Sequence, residues 1–289
     1  MKRNIVYLIF FTLLLIGSSC DKKRDRFFEE NPTARLNTAV DEAFNILKSQ
    51  KNGWTMQYFP SSDLEYGGYN LFVNFSTDEK VDLQADYVPI FDPDWMQYWT
   101  PAPYAKFSST YKVYPGAGPI LTFDTWNEII HFFAIPGAYN GEGAVDSGTK
   151  GDFEFLVLKA TADSVILQGR KSLNRIVMLP IKSTPATFIQ KMQKNAAKFD
   201  SFDDYVVEVG GKTYDAYFYS DLKRAFVFDD PEDENIYSYV YTEAGLEFYK
   251  EFSIKGVNVK TMTYVNPTTG YPNGYFENPE KTVKYIPVG

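Results

Sequence analysis

The sequence contains one cysteine, one histidine and no apolar run long enough to cross a membrane. With a single thiol in 289 residues, no disulfide can form within the chain, so the fold must be held by packing in any redox compartment. With a single imidazole, that of His131, a zinc site with several histidines is excluded. A Ser-His-Asp triad would have to be built around this one ring.

Basic residues are fewer than acidic ones, 29 against 37, which gives a formal net charge of −8. A surface of this sign repels phosphates, so the balance argues against a nucleic acid or an anionic lipid surface as partner. Aromatic residues are plentiful, with 22 Tyr and 24 Phe, and 44% of all residues are hydrophobic. This apolar area is sufficient for one large or two modest cores, and we expect a globular fold.

The N-terminus has the pattern of a cleavable export signal. Lys2 and Arg3 precede an apolar run over residues 5–16. A helix of this length rises roughly 18 Å, which is too short for a hydrocarbon core about 30 Å thick. We therefore predict a removable signal peptide over residues 1–19.

Small residues and the only cysteine follow the apolar run. Gly17, Ser18 and Ser19 suit a signal peptidase, and Cys20 comes next. The pattern resembles a lipobox, although Gly17 stands where an aliphatic residue is usual. We predict that Cys20 is lipidated and anchors the chain to a membrane through a tether over residues 20–32. An ordinary secretory signal and an uncleaved anchor are the alternatives.

Two segments, residues 33–48 and 186–199, repeat apolar side chains at the 3.6-residue period of an amphipathic helix. Each is preceded by a residue suited to the N-cap position and by a proline suited to the first helical turn. These residues are Asn31 and Pro32 in the first segment, and Thr184 and Pro185 in the second.

Each predicted helix introduces a region in which apolar and polar residues alternate, as in half-buried strands. The predicted strands include residues 54–58, 71–75, 153–159, 164–168, 175–181, 205–209 and 213–219. We predict an α+β fold, mostly antiparallel β, with two helix-led β units over residues 33–182 and 183–289. Residues 119–123 resemble residues 244–248, so an internal duplication is one hypothesis and coincidence among aromatic strands is the other.

Five phrases of the sequence resemble a known family. They are Asn52-Gly53-Trp54, Gly67-Gly68-Tyr69-Asn70, Gly118-Pro119-Ile120-Leu121-Thr122-Phe123-Asp124, Gly151-Asp152-Phe153-Glu154-Phe155 and Leu167-Gln168-Gly169-Arg170-Lys171. In these phrases the chain is similar to the Bacteroidetes lipoproteins grouped as domain of unknown function 4302. The resemblance implies an outer-membrane lipoprotein found beside nutrient-uptake receptors and their partner binding lipoproteins. It implies no catalytic residues.

A proline-rich segment over residues 91–104 is the candidate binding site. Its three prolines predict a loop, and large rings on a loop are available to stack on a sugar face or to grip a partner chain. The candidate ligand-binding residues are the rings of Trp95, Tyr98, Trp99 and Tyr104, with Asp92 and Asp94 to orient polar groups. The alternative is that the segment folds back and its rings cap the sheet.

The other polar features predict structural roles. His131 has apolar neighbours and is expected to be a buried or half-buried, hydrogen-bonded residue. The glycine-rich stretch over residues 141–151 lacks the Lys-Ser/Thr of a phosphate loop and predicts a surface loop. The acidic run over residues 229–234 lacks the spacing of an EF-hand and predicts a solvated hairpin tip, with calcium binding left open. No cofactor and no metal site is predicted.

Two classes of function follow, with a third as a further alternative. The favoured one is a non-catalytic accessory or binding lipoprotein of an outer-membrane uptake system, with a glycan or a peptide as ligand. The alternative is a hydrolase, a glycosidase or peptidase that uses carboxylates, which requires two acids facing each other across a pocket. The third is a structural or adhesive surface protein.

Overall fold

The computed structural model describes residues 30–91, 97–136, 146–219 and 223–288, with the backbone alone described at residues 86–91, 97–105 and 199–200. The predicted signal peptide, Cys20 and the tether up to residue 29 lie outside the described residues. In the part that is described, no helix is both long and apolar enough to span a bilayer. Both sheets lie in the unit Leu36–Gly289.

Two α-helices form where the apolar period predicts them. They are α1 (Pro32–Leu47) and α2 (Pro185–Asp200). At the start of α1, Asn31 Oδ1 accepts a hydrogen bond from the N–H of Ala34 at 2.8 Å. At the start of α2, Thr184 Oγ1 accepts one from the N–H of Thr187 at 3.3 Å. Both predicted N-caps are therefore confirmed.

The first sheet is an antiparallel meander of nine strands. They are β1 (Trp54–Tyr58), β2 (Tyr69–Phe75), β3 (Lys80–Phe91), β4 (Gln97–Thr110), β5 (Lys112–Pro115), β6 (Pro119–Thr122), β7 (Glu154–Ala160), β8 (Val165–Gly169) and β9 (Arg175–Pro180). Their order in the sheet is β4-β3-β2-β1-β9-β8-β7-β6-β5. The first strand of the meander thus pairs with the last, and β4 and β5 are the two edges.

The second sheet is a closed eight-stranded barrel. Its strands are β10 (Asp204–Val209), β11 (Lys212–Phe218), β12 (Ala225–Phe228), β13 (Tyr237–Tyr241), β14 (Gly245–Ile254), β15 (Val257–Val265), β16 (Tyr275–Glu277) and β17 (Val283–Val288). Each strand pairs with the next along the chain, and β17 pairs with β10 to close the ring. Closure leaves this sheet without an edge strand.

Each sheet encloses its own core, and aromatic rings fill much of both. In the first sheet, Trp54, Met56 and Tyr58 of β1 are fully buried, as their period-two spacing predicts. Inside the barrel, the ring of Phe226 stacks on that of Tyr237 with centroids 4.9 Å apart. The aromatic content of the chain is therefore largely a packing feature.

The predicted fold class, mostly antiparallel β in two helix-led units, is confirmed. Both units are sequential meanders in which the first strand pairs with the last. The similar phrases over residues 119–123 and 244–248 lie on β6 and β14, and each of these is the fourth strand from the end of its unit. The first unit ends with β9 and the second begins with α2, while the division into separate domains at residue 183 stays a prediction.

The predicted loop over residues 91–104 is wrong from residue 97 onward. Gln97–Thr110 is strand β4, which pairs with β3 so that Trp99 lies opposite Pro89. Prolines are tolerated here because β4 is an edge strand, where a missing N–H removes no bond to a further strand. Asp92, Asp94 and Trp95 lie outside the described residues, and Tyr98, Trp99 and Tyr104 are described by their backbone alone. The binding role of these rings stays a prediction.

The phrase Asn52-Gly53-Trp54 joins α1 to the first sheet. Trp54 Nε1 donates a hydrogen bond to the carbonyl oxygen of Leu47, the last residue of α1, at 2.7 Å. Gly53 has φ +78°, and its missing Cβ would lie 2.6 Å from the carbonyl oxygen of Val73. This position needs glycine for both its backbone conformation and its close approach to β2.

The phrase Gly67-Gly68-Tyr69-Asn70 joins the first sheet to the barrel. The N–H of Gly68 donates to the carbonyl oxygen of Tyr239 at 3.1 Å, and Asn70 Nδ2 donates to that of Tyr241 at 2.6 Å. The guanidinium of Arg224 lies 4.6 Å from the centre of the Tyr69 ring. Both of these phrases therefore have a structural role.

Candidate functional site

The other three family phrases lie on neighbouring strands of the first sheet. They lie on and beside β6, β7 and β8, and β7 is the central strand of the three. Its Phe155 is opposite Leu121 of β6 on one side and Gly169 of β8 on the other. Residues 118–124 and 167–171, which are more than 40 positions apart in the chain, thus lie on one surface with residues 151–155.

A stack of three aromatic rings lies beside the start of β7. The imidazole of His131 lies between the rings of Trp126 and Phe153, at centroid distances of 5.2 Å and 4.7 Å and with interplanar angles of 30° and 28°. Trp126 is 52% exposed and Phe153 is 38% exposed. The stack therefore presents large apolar rings to solvent.

The imidazole is held in this stack by Asn127. The backbone N–H of Asn127 donates to His131 Nδ1 at 3.1 Å, and its buried side chain donates from Nδ2 to the carbonyl oxygen of Phe107 at 3.2 Å. Burial lowers the pKa of His131, although contacts of the ring with the backbone carbonyl oxygens of Asn127, 3.2 Å from Nδ1, and of Phe123 act in the opposite direction. The ring is therefore neutral at pH 7, and the prediction of a half-buried, hydrogen-bonded histidine is confirmed.

Two open depressions continue the surface from Phe153 across β7 and β8. The first has a volume of about 270 Å³ and the second about 240 Å³, and Arg170 lines both. The first is lined by Gly151, Asp152, Phe153, Glu154, Arg170 and Lys171, and the second mainly by Tyr114, Ile120, Leu156, Gln168 and Leu173. We call the ring stack and these two depressions together the β7 groove.

A polar cluster stands where the two depressions meet. Glu154 accepts a hydrogen bond from the hydroxyl of Tyr114 at 3.0 Å and forms an ion pair with Arg170 at 3.0 Å. Partial burial and the hydrogen bond to Glu154 raise the pKa of Tyr114, so its hydroxyl remains a donor across the neutral pH range. Half of the Arg170 side chain is exposed and faces solvent. The cluster can therefore offer guanidinium donors to a ligand.

A buried carboxylate fixes the rim of the first depression. Asp152 is 4% exposed, and its oxygens accept hydrogen bonds from the backbone N–H groups of Lys171 at 2.5 Å and Ser172 at 3.0 Å. The backbone N–H of Asp152 in turn donates to the hydroxyl of Tyr58 at 2.7 Å. Gly151 packs against Phe133, with no space for a side chain. The rim is therefore preorganised.

The acidic run over residues 229–234 has a cationic partner within the chain. Lys255 Nζ lies 2.7 Å from a carboxylate oxygen of Asp230 and 3.1 Å from one of Asp233. Asp233 also accepts hydrogen bonds from the hydroxyl of Tyr237. Within the described ranges, no cluster of three or more His, Cys, Asp or Glu side chains is arranged to hold a metal ion.

Trp126 and Phe153 are functional candidates that the sequence analysis missed. Aromatic density in the sequence favours residues 91–104, which contain five aromatic rings, whereas the ring stack is assembled from separate segments. One available signal was Phe153, which lies between two acidic residues inside a family phrase.

Comparison with known proteins places the β7 groove inside a recognised sequence region. A family model described as Domain of unknown function (DUF4302) matches residues 24–266, which include every residue of the groove. No curated protein and no solved structure matches the chain.

Proposed function

The chain belongs to the DUF4302 family, and because that description assigns no activity, we propose a function from the site itself. We propose that the protein is a non-catalytic binding protein that captures an extended glycan or peptide on the β7 groove. The observation that carries this proposal is the exposed ring stack of Trp126, His131 and Phe153 beside two open depressions.

The groove combines the two kinds of contact that such a ligand needs. The rings supply flat apolar faces, and each stacked ring contributes about 0.5 to 1.5 kcal/mol beyond the burial of area. Arg170 and Glu154 supply a charged donor and acceptor that set orientation. Because the groove is open and its rings are few, we expect weak, reversible capture, with dissociation constants on the order of micromolar to millimolar.

The carboxylates of the groove support binding over hydrolysis. Asp152 and Glu154 both line the first depression, which is the arrangement a carboxylate-dependent hydrolase would use. Asp152, however, is occupied by two backbone N–H groups, and Glu154 by Tyr114 and Arg170. Both carboxylates therefore make contacts within the chain that hold the groove in shape. The hydrolase alternative predicts turnover of chromogenic glycosides or peptides that Glu154→Gln abolishes.

We further propose that this binding protein is exported and anchored by lipid on Cys20, as an accessory lipoprotein of an outer-membrane uptake system. The support comes from the charged and apolar pattern before Cys20 and from the family resemblance. A membrane-bound capture protein beside an uptake receptor needs affinity without chemistry, which agrees with the composition of the groove.

The decisive experiment removes the exposed indole. Trp126→Ala should weaken binding to a ligand selected on glycan and peptide arrays by about tenfold, because an exposed stacking contact is lost. Leu158→Ala is the matched control, since Leu158 is an equally exposed apolar residue on β7 outside the groove. Both variants should keep the melting temperature of the wild type, and binding can be measured by isothermal titration calorimetry.

The same arrays separate the β7 groove from the other candidate surface. If Trp95→Ala and Trp99→Ala weaken binding while Trp126→Ala does not, the ligand binds at residues 91–104 and the groove proposal fails. If no variant changes binding and the protein self-associates in light scattering, the structural or adhesive alternative is favoured.

A further inference from the structure

A second surface, which shares no residue with the β7 groove, carries a concentration of positive charge. Lys191, Lys194 and Lys198 recur along the exposed side of α2, and Lys182 precedes the helix. These four residues, which we call the lysine face, stand out on a chain with a net charge of −8. A local patch whose sign opposes that of the whole chain has a potential of its own and can steer a partner of opposite charge.

The lysine face lines a groove formed by two joined depressions. One, of about 420 Å³, is lined mainly by Lys191, Lys194, Lys198 and Asn195. The other, of about 400 Å³, has Lys182 on its wall and an apolar floor that includes Leu179, Pro180 and Phe188. Lys191 and Glu243 line both depressions, so the two are continuous.

The groove is held in shape by contacts on both sides of α2. Asn195 Nδ2 donates to the carbonyl oxygens of Thr242 at 2.8 Å and Glu243 at 3.0 Å, which ties the helix to the barrel. Ile189 and Met192 are buried in a cluster with Phe72 of the first sheet. A surface fixed in this way loses little conformational entropy when a partner binds.

The charges in the groove are unbalanced. Of the side chains that line its two described depressions, Glu243 is the one carboxylate, and it pairs with Lys191 at 2.7 Å. Lys198 lies over the ring of Tyr264, with its Nζ 3.9 Å from the ring centre. Lys194 in the first depression and Lys182 in the second are both exposed. The groove therefore has an excess of positive charge along its length.

We propose that this groove is an interaction surface for an acidic segment of a partner protein. The lysine face would pair with carboxylates of the segment, and the floor at Leu179 and Phe188 would receive an apolar side chain. Leu179 is 38% exposed and is available for such a contact. An anionic membrane surface is the competing partner, and it would use the lysines without the apolar residues Leu179 and Phe188 that line the same groove.

The test uses the full chain and a defined probe. A fluorescein-labelled peptide of Glu and Asp with one central Leu should bind the wild-type protein in fluorescence anisotropy, and added salt should weaken binding. Lys182→Glu with Lys194→Glu should reduce affinity by about tenfold or more, since two attractions become repulsions. Lys159→Glu with Lys212→Glu is the control with the same change in net charge, and it should alter affinity by less than about twofold.

Circular dichroism of both double variants checks that they are folded. The proposal is overturned if the wild type does not bind the peptide, or if the two double variants lose affinity equally, which would show a general charge effect. It is also overturned if the wild type binds vesicles of phosphatidylglycerol but not the peptide, since the lysine face would then be a membrane contact. Trp126→Ala should leave peptide binding at this groove unchanged, which separates it from the β7 groove.

Discussion

Among single residues, Asp152 has the clearest structural effect on the β7 groove. Asp152→Ala would leave the backbone N–H groups of Lys171 and Ser172 without their acceptor. Hydrogen bonds to a charged group are stronger than neutral ones, so we expect a loss of about 2 to 3 kcal/mol in the free energy of unfolding, measured with urea. Asp163→Ala, in the exposed turn between β7 and β8, should change it by less than about 0.5 kcal/mol. Equal losses in both variants would contradict this role.

A second prediction for a single residue concerns the pKa of His131, the only histidine of the chain. Burial lowers the pKa of His131 below its ordinary value of 6.5. The unfolded chain then takes up this proton at a higher pH than the folded chain. The contribution of the neutral ring to stability is therefore complete above about pH 6.5 and is lost as the pH falls toward the folded-state pKa.

In the untagged protein the Cε1–H resonance of His131 needs no assignment, because there is no other imidazole. A proton NMR titration should give a midpoint below 6.5. A midpoint above 6.5 would show that the hydrogen bonds to backbone carbonyls outweigh burial, and the ring would then carry a charge near neutral pH.

At the scale of elements, the glycine pair after β1 sets how closely the first sheet approaches the barrel. Gly67 has φ +67°, and a Cβ there would lie 2.5 Å from the carbonyl oxygen of Arg224. Gly67→Ala therefore combines backbone strain with a clash, and we expect it to lower the free energy of unfolding by about 2 to 4 kcal/mol.

A second glycine with positive φ distinguishes the effect of backbone strain from that of the steric clash. Gly211 has φ +79° and no atom within 4 Å of its missing Cβ. Gly211→Ala therefore introduces backbone strain without a clash. It should cost about 1 to 2 kcal/mol. If both variants lose the same stability by chemical denaturation, the close approach of Arg224 contributes nothing.

At the scale of the whole molecule, we propose that lipid on Cys20 attaches the chain to a membrane. Cys20→Ala removes the acceptor of the acyl chains, so the variant should move from the membrane fraction to the soluble fraction. Immunoblots of fractionated cells measure the distribution, with the wild type fractionated in parallel. A variant that still sediments with membranes after a high-salt wash would place the anchor elsewhere.

The two units also show that the same strand topology can form an open sheet or a closed one. Both begin with a capped helix, and in both the first strand of the meander pairs with the last. The first unit remains open between β4 and β5, whereas the barrel closes through every neighbouring pair. The similar segments lie on the fourth strand counted back from the last strand of each unit. The additional strand of the first unit therefore lies before that position, in the N-terminal part of the unit.

Sequence reasoning found the elements that depend on local chemistry. The caps at Asn31 and Thr184 and the strands with period-two alternation were identified because their determinants lie within a few residues of one another. β4 was missed because its prolines are compatible with a strand only at a sheet edge, and edge position is a property of the sheet.

By itself the sequence determined the fold class, the two helix-led units and their helix caps, through periodicities and side-chain hydrogen bonds of short range. Only the tertiary structure brought together the residues of the proposed binding groove. Trp126 and Phe153 are 27 positions apart, and Asp152 and Lys171 are 19 apart, so the ring stack and the depression rim exist only after β7 pairs with β6 and β8. Contacts of this range depend on the register of paired strands, which no local pattern specifies.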